Sequence, residues 1–323
     1  MSDGRALYSL KGKRIWVAGH NGMVGSALVR RLNREECTIL TASRREHDLR
    51  RQSEVDAFMA KARPEAVFLA AARVGGIVAN DSRPASFLYD NLMIAANIIE
   101  AARASGVEKL LNLGSTCVYP KFAPQPIPED ALLAGPLEPT NQWYAVAKIA
   151  AIKLCDAYRR QYGCDFISAM PTNLYGPNDN FDLEASHVIP ALIAKFVRAK
   201  DEGTKEVSVW GTGTPRREFL HVDDCADALV HLMKHFSGEG PVNVGVGEDL
   251  TIAELAKLIA GIVNFPGRIV FDSSRPDGTP RKLVDVSHLN RLGWSARIPL
   301  LQGITQTYAW YREHASSLRS VAL

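Results

Sequence analysis

Three observations predict a doubly wound α/β fold on a parallel sheet, followed by a smaller, mixed α/β carboxy-terminal lobe. Short β-branched runs alternate with longer helical patterns through the first half of the 323-residue chain. A turn with three glycines sits at the first strand-to-helix junction, and the regular alternation ends at Pro171. Strands joined through helices of this length need right-handed crossovers and therefore pair in parallel.

The elements follow in order. Arg14–Ala18 (RIWVA) is a buried strand broken by the Gly19–Gly25 turn, and Met23–Leu32 then carries helical spacing. Thr38–Ala42 is a second strand, Gln52–Lys61 a helix and Ala66–Ala70 (AVFLA) a third strand. From Ser86 to Ala104, the apolar residues Phe87, Leu88, Leu92, Ile94, Ala95, Ile98 and Ile99 make the wide face of a long helix. Lys109–Leu113 is the fourth strand, Trp143–Tyr162 a helix and Asp165–Met170 the fifth strand. Beyond Pro171, helices are expected at Ile189–Lys200, Cys225–Lys234 and Thr251–Val263, the last opened by a capping box of Thr251 and Glu254. Short strands are expected at Val207–Val209, Val242–Val244 and Ile269–Phe271. Residues 1–170 are thus expected to form one domain and 171–323 mainly a second lobe over one end of its sheet, with the chain crossing between them more than once.

Composition narrows the function classes. With 46% hydrophobic and 23% charged residues, the chain is an ordinary globular one, long enough for a core without disulfides or metals. A net charge of +3 is too small and too scattered to point to nucleic acid as a partner. No apolar run reaches the roughly 18 residues of a membrane span, and the polar start Met1–Lys13 predicts no secretory leader. Five cysteines (Cys37, Cys117, Cys155, Cys164, Cys225), odd in number and without close pairs, argue against a disulfide framework or a zinc ribbon. The expected compartment is reducing, the cytoplasm.

Gly19-His20-Asn21-Gly22-Met23-Val24-Gly25 spaces its glycines as G-x-x-G-x-x-G. After a first strand, such glycines allow a tight turn, let backbone N–H groups approach a pyrophosphate and let the helix pack close to the sheet. The first domain is therefore read as a Rossmann-type dinucleotide-binding domain. An NAD site places a carboxylate about 20 residues on, against the ribose 2′-OH. Here the second strand ends Thr41-Ala42-Ser43-Arg44-Arg45, with no carboxylate and two guanidinium groups suited to a 2′-phosphate, which favours NADP(H).

Tyr144-Ala145-Val146-Ala147-Lys148 places Tyr144 and Lys148 one turn apart on a helix face. A phenol with a pKa of about 10 is a poor acid–base group at neutral pH, and a neighbouring ammonium favours its ionised form. Alone, this pair would be an exposed tyrosine and lysine; after a glycine turn and a run of strand–helix units it is read as catalytic. Leu113-Gly114-Ser115-Thr116-Cys117 ends the fourth strand, where an open parallel sheet binds its ligands, so Ser115 is placed to hydrogen-bond a substrate carbonyl beside Tyr144. These features together resemble the short-chain dehydrogenase/reductase superfamily, and the extra carboxy-terminal lobe resembles its extended, nucleotide-sugar-modifying branch.

Longer segments narrow the resemblance. Gly19-His20 with Gly22-Met23-Val24-Gly25, Ala70–Asn80 (AAARVGGIVAN), Glu138–Asn141 (EPTN), Pro171–Pro177 (PTNLYGP), Ser186–Pro190 (SHVIP), Trp210–Asp224 (WGTGTPRREFLHVDD) and Pro276–Lys282 (PDGTPRK) resemble the GDP-L-fucose synthase family from about residue 13 to about residue 310. The family commonly has Arg where this chain has Asn21, which leaves more of the NADP preference to Arg44.

That resemblance implies a GDP-sugar substrate, GDP-4-keto-6-deoxy-D-mannose, epimerised at C3 and C5 and then reduced at C4 with NADPH. It implies Ser115, Tyr144 and Lys148 at the ketone, and Cys117 and His187 as the base and acid of epimerisation, types whose pKa values bracket neutrality. Read from residue type alone, Cys117 is a small buried hydrophobe and His187 a surface or capping histidine. The resemblance extends the cofactor site along the whole turn (Gly19, His20, Asn21, Gly22, Met23, Val24, Gly25), to Arg44, Asp48 and Leu49, and to Leu113, Gly114, Ser115 and Thr116. It also includes Tyr144, Lys148, Pro171, Thr172, Asn173, Leu174 and His187. For the substrate it implies Ser115, Tyr144, Asn173, Lys195, Trp210, Arg217 and Asp277: Lys195 and Arg217 for the diphosphate, Trp210 for guanine or ribose, and Asp277 for ribose hydroxyls or guanine N–H groups. No metal is implied. A homodimer through the helices Ser86–Ala104 and Trp143–Tyr162 is expected on the same ground.

Three rivals share parts of this pattern. A nucleotide-sugar dehydratase or 4-epimerase of the same fold is disfavoured, because dehydratases of this branch place Asp-Glu where this chain has Thr116-Cys117. A non-catalytic NADP-binding module is disfavoured by intact Ser115, Tyr144 and Lys148. A related GDP-deoxysugar epimerase-reductase, such as GDP-L-colitose synthase, remains the alternative.

Overall fold

The computed structural model describes residues 6–183, 186–275 and 277–318. Its first half runs β1 (Arg14–Ala18), α1 (Met23–Leu32), β2 (Thr38–Leu40), α2 (Gln52–Ala62), β3 (Ala66–Leu69), α3 (Ile77–Ser82), α4 (Pro84–Ala104), β4 (Lys109–Leu113), α5 (Gln142–Tyr162) and β5 (Asp165–Pro171). The second half continues with β6 (Asn173–Tyr175), α6 (Val188–Asp201), β7 (Glu206–Trp210), β8 (Arg216–Arg217), β9 (Phe219–His221), α7 (Val222–His235) and β10 (Pro241–Val244). It ends with β11 (Leu250–Thr251), α8 (Ile252–Val263), β12 (Arg268–Asp272), β13 (Arg281–Lys282), α9 (Ser287–Arg291) and α10 (Leu300–Leu318).

The large sheet has six strands in the order β2-β1-β3-β4-β5-β10, every neighbouring pair parallel. Its strands are apolar on both faces, as helix-covered parallel strands must be. Ile15 and Val17 of β1 join a core with Leu28 and Leu32 of α1 and Leu229 and Met233 of α7. Their neighbours Trp16 and Ala18 point the other way, into a core with Val55 of α2, Ile98 and Ile99 of α4 and Cys155 of α5. This is the two-residue period of a strand read on two faces. Helices therefore lie on both sides of the sheet, as expected from the doubly wound pattern.

After residue 171 the chain does not stay in the second lobe. Val242 pairs with Ala169, so β10 is the edge of the large sheet, and α7 packs beside α1. The second lobe gathers α6, α8 and α10 around Tyr175, Ile193, Phe196, Leu255, Ile259 and Ile304. Its strands are short: β7 with β12, β6 with β9, and β8 between β11 and β13. The capping box is present, with the Thr251 hydroxyl accepting from the Glu254 N–H and the Glu254 carboxylate accepting from the Thr251 N–H. Among the described residues no helix is long and apolar enough to cross a membrane, and no group of acidic, His and Cys side chains is placed to hold a metal.

From β1 the chain steps outward to β2 and then back past β1 to β3, which opens a crevice at the carboxyl ends of β1 and β3. Gly19 turns there with φ +90°, and a Cβ on it would lie 2.7 Å from the Ala71 backbone after β3. Gly25 is tighter, because its Cβ would sit 2.0 Å from the Gly19 carbonyl oxygen, whereas a Cβ on Gly22 would meet that oxygen at 3.5 Å, an ordinary contact. Gly25→Ala should therefore destabilise the fold by at least about 1–3 kcal/mol, while Gly22→Ala should cost at most about 1 kcal/mol, the ordinary loss at a helix cap. Thermal melts of the two variants check this ranking, and equal losses would refute it.

Candidate active site

The glycine turn ends β1 and opens α1 as a bare cradle. The Gly22 N–H donates to the Gly19 carbonyl at 3.0 Å. Gly22 caps α1 without a side-chain bond, and the first turn carries no acidic residue. The positive end of the helix is thus left for an anion. Asn21 and Gly22 are exposed beside half-buried Met23 and Val24. The buried Nδ1 of His20 has no hydrogen-bond partner. Past β2, Arg44 is exposed, and Glu46 turns back to accept from the Ser43 N–H and hydroxyl. Asp48 is held at a pKa of about 2 by its bonds to Arg50, with Arg44 adding to the effect. The Leu49 carbonyl accepts from Asn97 Nδ2 at 3.0 Å, which ties this loop to α4. An open backbone turn, a helix N-terminus and a cationic loop fit a phosphorylated dinucleotide.

The second cluster lies at the ends of β4 and β5. Ser115 follows the buried Leu113 and Gly114 in extended conformation and caps a 3-10 turn, Thr116–Val118, its Oγ accepting from the Cys117 N–H at 3.5 Å. Cys117 is buried beneath it, and burial raises its pKa while Lys282 and Lys148 oppose that rise. Tyr144 and Lys148 come from the first two turns of α5. The Lys148 ammonium donates to the Leu113 carbonyl at 2.7 Å and lies 5.8 Å from the centre of the Tyr144 ring. Burial lowers Lys148 to about 8 and raises Tyr144, with Cys117 pushing Tyr144 further up. This corrects the expectation that Lys148 depresses Tyr144: both side chains are desolvated, and the ammonium is aimed at a strand carbonyl. His187 caps α6 without a side-chain bond. Its ring reaches solvent yet is closely surrounded by protein, so burial and the Lys282 charge both lower its pKa.

Pro171 ends β5, and the Thr172 N–H donates to the Val244 carbonyl at 2.9 Å, so this corner is held by the edge strand. Asn173 Nδ2 donates to the Glu218 carbonyl at 2.8 Å and half-buried Leu174 follows in β6. The Glu218 side chain is fully buried and accepts from the N–H groups of Val246 (2.6 Å), Gly247 (2.7 Å) and Val284 (3.1 Å).

The remaining predicted residues form a separate group on the second lobe. Lys195 Nζ lies 5.1 Å over the Trp210 ring, and Arg275 covers the same ring at 5.1 Å. Trp210 is 42% exposed between them. Burial and Arg275 lower the Lys195 pKa. Asp277 accepts from the Thr212 N–H at 2.7 Å and its hydroxyl at 2.9 Å, closing the turn after Trp210. Arg217 faces both Asp277 and Glu138, and β8 pairs with β13 so that Arg217 lies opposite Lys282. A line of charges thus joins Asp277, Arg217, Lys282 and Cys117.

Sequence reasoning gave no role to Lys282, Glu138 or Arg275. The first two do sit in motifs that it singled out, PDGTPRK and EPTN. Pro276, which opens PDGTPRK, lies outside the described residues.

The model of the NAD dependent epimerase/dehydratase family matches residues 15–245. A GDP-L-fucose synthase of Sinorhizobium fredii is 58% identical over 94% of this chain and 96% of its own length. One of Escherichia coli is 52% identical over 95% and 99%. The crystal structure of a GDP-L-fucose synthetase from Naegleria fowleri bound to NADP superposes with a TM-score of 0.90 at 32% identity, covering 99% of each chain.

Lys148 offers a test of this electrostatic picture. Folded, it titrates at about 8; unfolded, at about 10.4. Between these values the unfolded chain binds more protons, so stability rises with pH. Relative to Lys148→Met, which has no amine, the parent should gain up to about 3 kcal/mol from about pH 7 to about pH 10.5. Urea unfolding of both proteins at the two pH values measures it, and a constant difference would exclude a burial penalty on the ammonium.

Proposed function

Because the chain belongs to the NAD dependent epimerase/dehydratase family and, within it, to the GDP-L-fucose synthases, we propose that it converts GDP-4-keto-6-deoxy-D-mannose to GDP-L-fucose. The reaction epimerises C3 and C5 and then reduces the C4 ketone, using NADP(H) as cofactor. What carries the reading is a second proton-transfer pair beside the reductase pair: Cys117 faces Tyr144 and Lys148, and Lys282 charges the surroundings of both Cys117 and His187.

The C4 ketone acidifies the hydrogens on C3 and C5. Ser115 and Tyr144 hold the ketone oxygen and stabilise the enolate charge that develops there. Cys117, as thiolate, removes a proton from one face, and His187, as imidazolium, returns one to the other. Burial keeps Cys117 mostly protonated and His187 mostly neutral, so the two lysines near the thiol and the substrate's own negative charge near the ring are what draw them into the reactive forms. When bound, NADPH supplies the hydride for C4. Tyr144 gives its proton to the C4 oxygen, and Lys148 holds the end of β4 against α5 through the Leu113 carbonyl. The Gly19–Gly25 turn and the α1 N-terminus would hold the cofactor pyrophosphate, and Arg44 its 2′-phosphate. Thr172 to Leu174 line the nicotinamide end.

On the second lobe, Lys195 and Arg217 neutralise the GDP diphosphate, Trp210 stacks on the nucleoside, and Asp277 accepts from ribose or guanine with the lone pairs that Thr212 leaves. Residues 1–170 serve the cofactor and 171–323 mainly the substrate, with β10 and α7 returning to the first. A homodimer is proposed through α4 and α5, whose faces leave Tyr89, Leu92, Trp143 and Val146 exposed. The five cysteines are free thiols, which suits the cytoplasm.

Mixing the protein with NADPH and GDP-4-keto-6-deoxy-D-mannose should consume NADPH and yield GDP-L-fucose, identified by NMR. No loss of NADPH absorbance where a known synthase turns over would sink the assignment, and turnover only of a 3,6-dideoxy sugar would replace it. Arg44→Ala should weaken NADPH by about tenfold or more, the worth of a charge-assisted phosphate contact. NADH binding should change little, and equal losses in titrations of the two cofactors would remove Arg44 from the 2′-phosphate.

A further inference from the structure

Two epimerisations with one base and one acid raise a problem of proton balance. The first leaves Cys117 as a thiol and His187 as a neutral ring. The second needs the thiolate and the imidazolium again. Cys117 must therefore lose a proton and His187 gain one between the two events, with no net change in charge. His187 is exposed and can take its proton from water directly. Cys117 is 8% exposed and has no such access on the substrate side once a sugar lies over it.

The thiol also borders a second space. A partly enclosed chamber of about 10 Å³ is lined by Cys117, Lys282, Glu138, Asn141, Lys121 and Arg281. That is about the room one water needs, and the walls offer it several polar partners. The outer side reaches solvent: Arg281 is exposed, and Lys121, partly exposed, pairs with Glu138 Oε2 at 3.0 Å. Glu138 is carried by the segment that leads into α5, and Lys282 by β13. Cys117 and Glu138 thus border the same chamber, and Glu138 is paired with a partly exposed lysine. Lys282 is close enough to Cys117, Arg217 and Glu138 for all three to act on its charge.

Resting on the epimerase-reductase reading, we infer that this chamber is a proton port, in which Glu138 relays the Cys117 thiol proton to solvent between the two epimerisations. The thiol S–H bond breaks, its proton passes through a water in the chamber to the Glu138 carboxylate, and the carboxylic acid, whose side chain is 16% exposed, then releases it to bulk water. Sulfur keeps the electron pair as thiolate, facing the Lys282 ammonium. His187 takes one proton from solvent on the other side, and the site returns to its starting charge. Glu138 touches neither substrate nor cofactor in this scheme and acts through Cys117.

The test compares the parent with Glu138→Gln, an isostere that keeps the shape and cannot carry the proton. With GDP-4-keto-6-deoxy-D-mannose and NADPH, the variant should raise by about tenfold or more the fraction of product inverted at one centre only and reduced at C4. Added small carboxylate buffer should lower that fraction again, a rescue that a merely structural role would not show. If Glu138→Gln does not fold, Glu138→Asp is used and should fall between parent and a blocked port, with the same buffer rescue. An unchanged product ratio in the variant, or a uniform slowing without rescue, overturns the port while leaving the function intact. A parent that consumes no NADPH overturns the functional reading, and the port falls with it.

Discussion

One buried carboxylate holds the two lobes in register. Glu218 lies between β8 and β9 with no exposed surface, and it gathers N–H groups from both sides of the cleft. Val246 and Gly247 belong to the exit from the edge strand of the large sheet, and Val284 follows β13. The carbonyl of the same residue receives Asn173 from the other corner. Burial raises the pKa of Glu218, and the three backbone bonds oppose that rise. A buried carboxylate is costly unless its lone pairs are filled, and here they are filled by backbone rather than by a mobile cation. The consequence is positional: β8 and β13 are set against the end of the large sheet, so Arg217 and Lys282 stand at fixed places over the cleft.

The same cleft is governed by desolvation more than by any single pair of charges. Tyr144 and Cys117 are pushed toward their protonated forms, while Lys148 and His187 are pushed toward their neutral ones. Every one of these groups is thereby brought closer to its uncharged state than it would be in water. The ordering among them comes from Lys282, which works against burial at Cys117 and with it at His187. Lys282 thus favours proton loss at both: it helps form the thiolate that the proposed base needs and opposes the imidazolium that the proposed acid needs.

Most long elements were legible in the sequence to within a few residues, because their burial pattern is written many times over; the 19-residue α10 was the exception and was not foreseen. β1 and β4 coincide with the expected ranges, α5 starts one residue early, and α4 starts at Pro84, whose ring presets the first helical turn. The strands that were not foreseen, β6, β8, β9, β11 and β13, have only two or three residues, too few for alternation to register. Their pairing is decided by contacts such as Glu218 that are remote in sequence. The glycine turn was readable because its spacing is local. The electrostatics were not: Tyr144 is shifted up rather than down, by burial and by Cys117, while the Lys148 ammonium is aimed at the Leu113 carbonyl. Lys282 and Glu138 stood inside quoted motifs without a role because their significance is their closeness to Cys117, across more than a hundred residues in the case of Lys282.

The location of the carboxylate separates this site from one built to eliminate water. Directly after Ser115 the chain places Thr116 and Cys117, so these two positions offer no carboxylic acid to a leaving hydroxyl beside the proposed ketone site. A nearby acid group, Glu138, borders the same chamber as the thiol and is paired with Lys121. A thiol is smaller and less polar than a carboxyl group, and it tolerates burial under a sugar at a lower desolvation cost. Its disadvantage is a proton that does not leave readily when solvent is excluded. In the proposed port, a carboxylate bordering the same chamber offsets that disadvantage, and the two requirements together account for pairing a cysteine base with a glutamate relay.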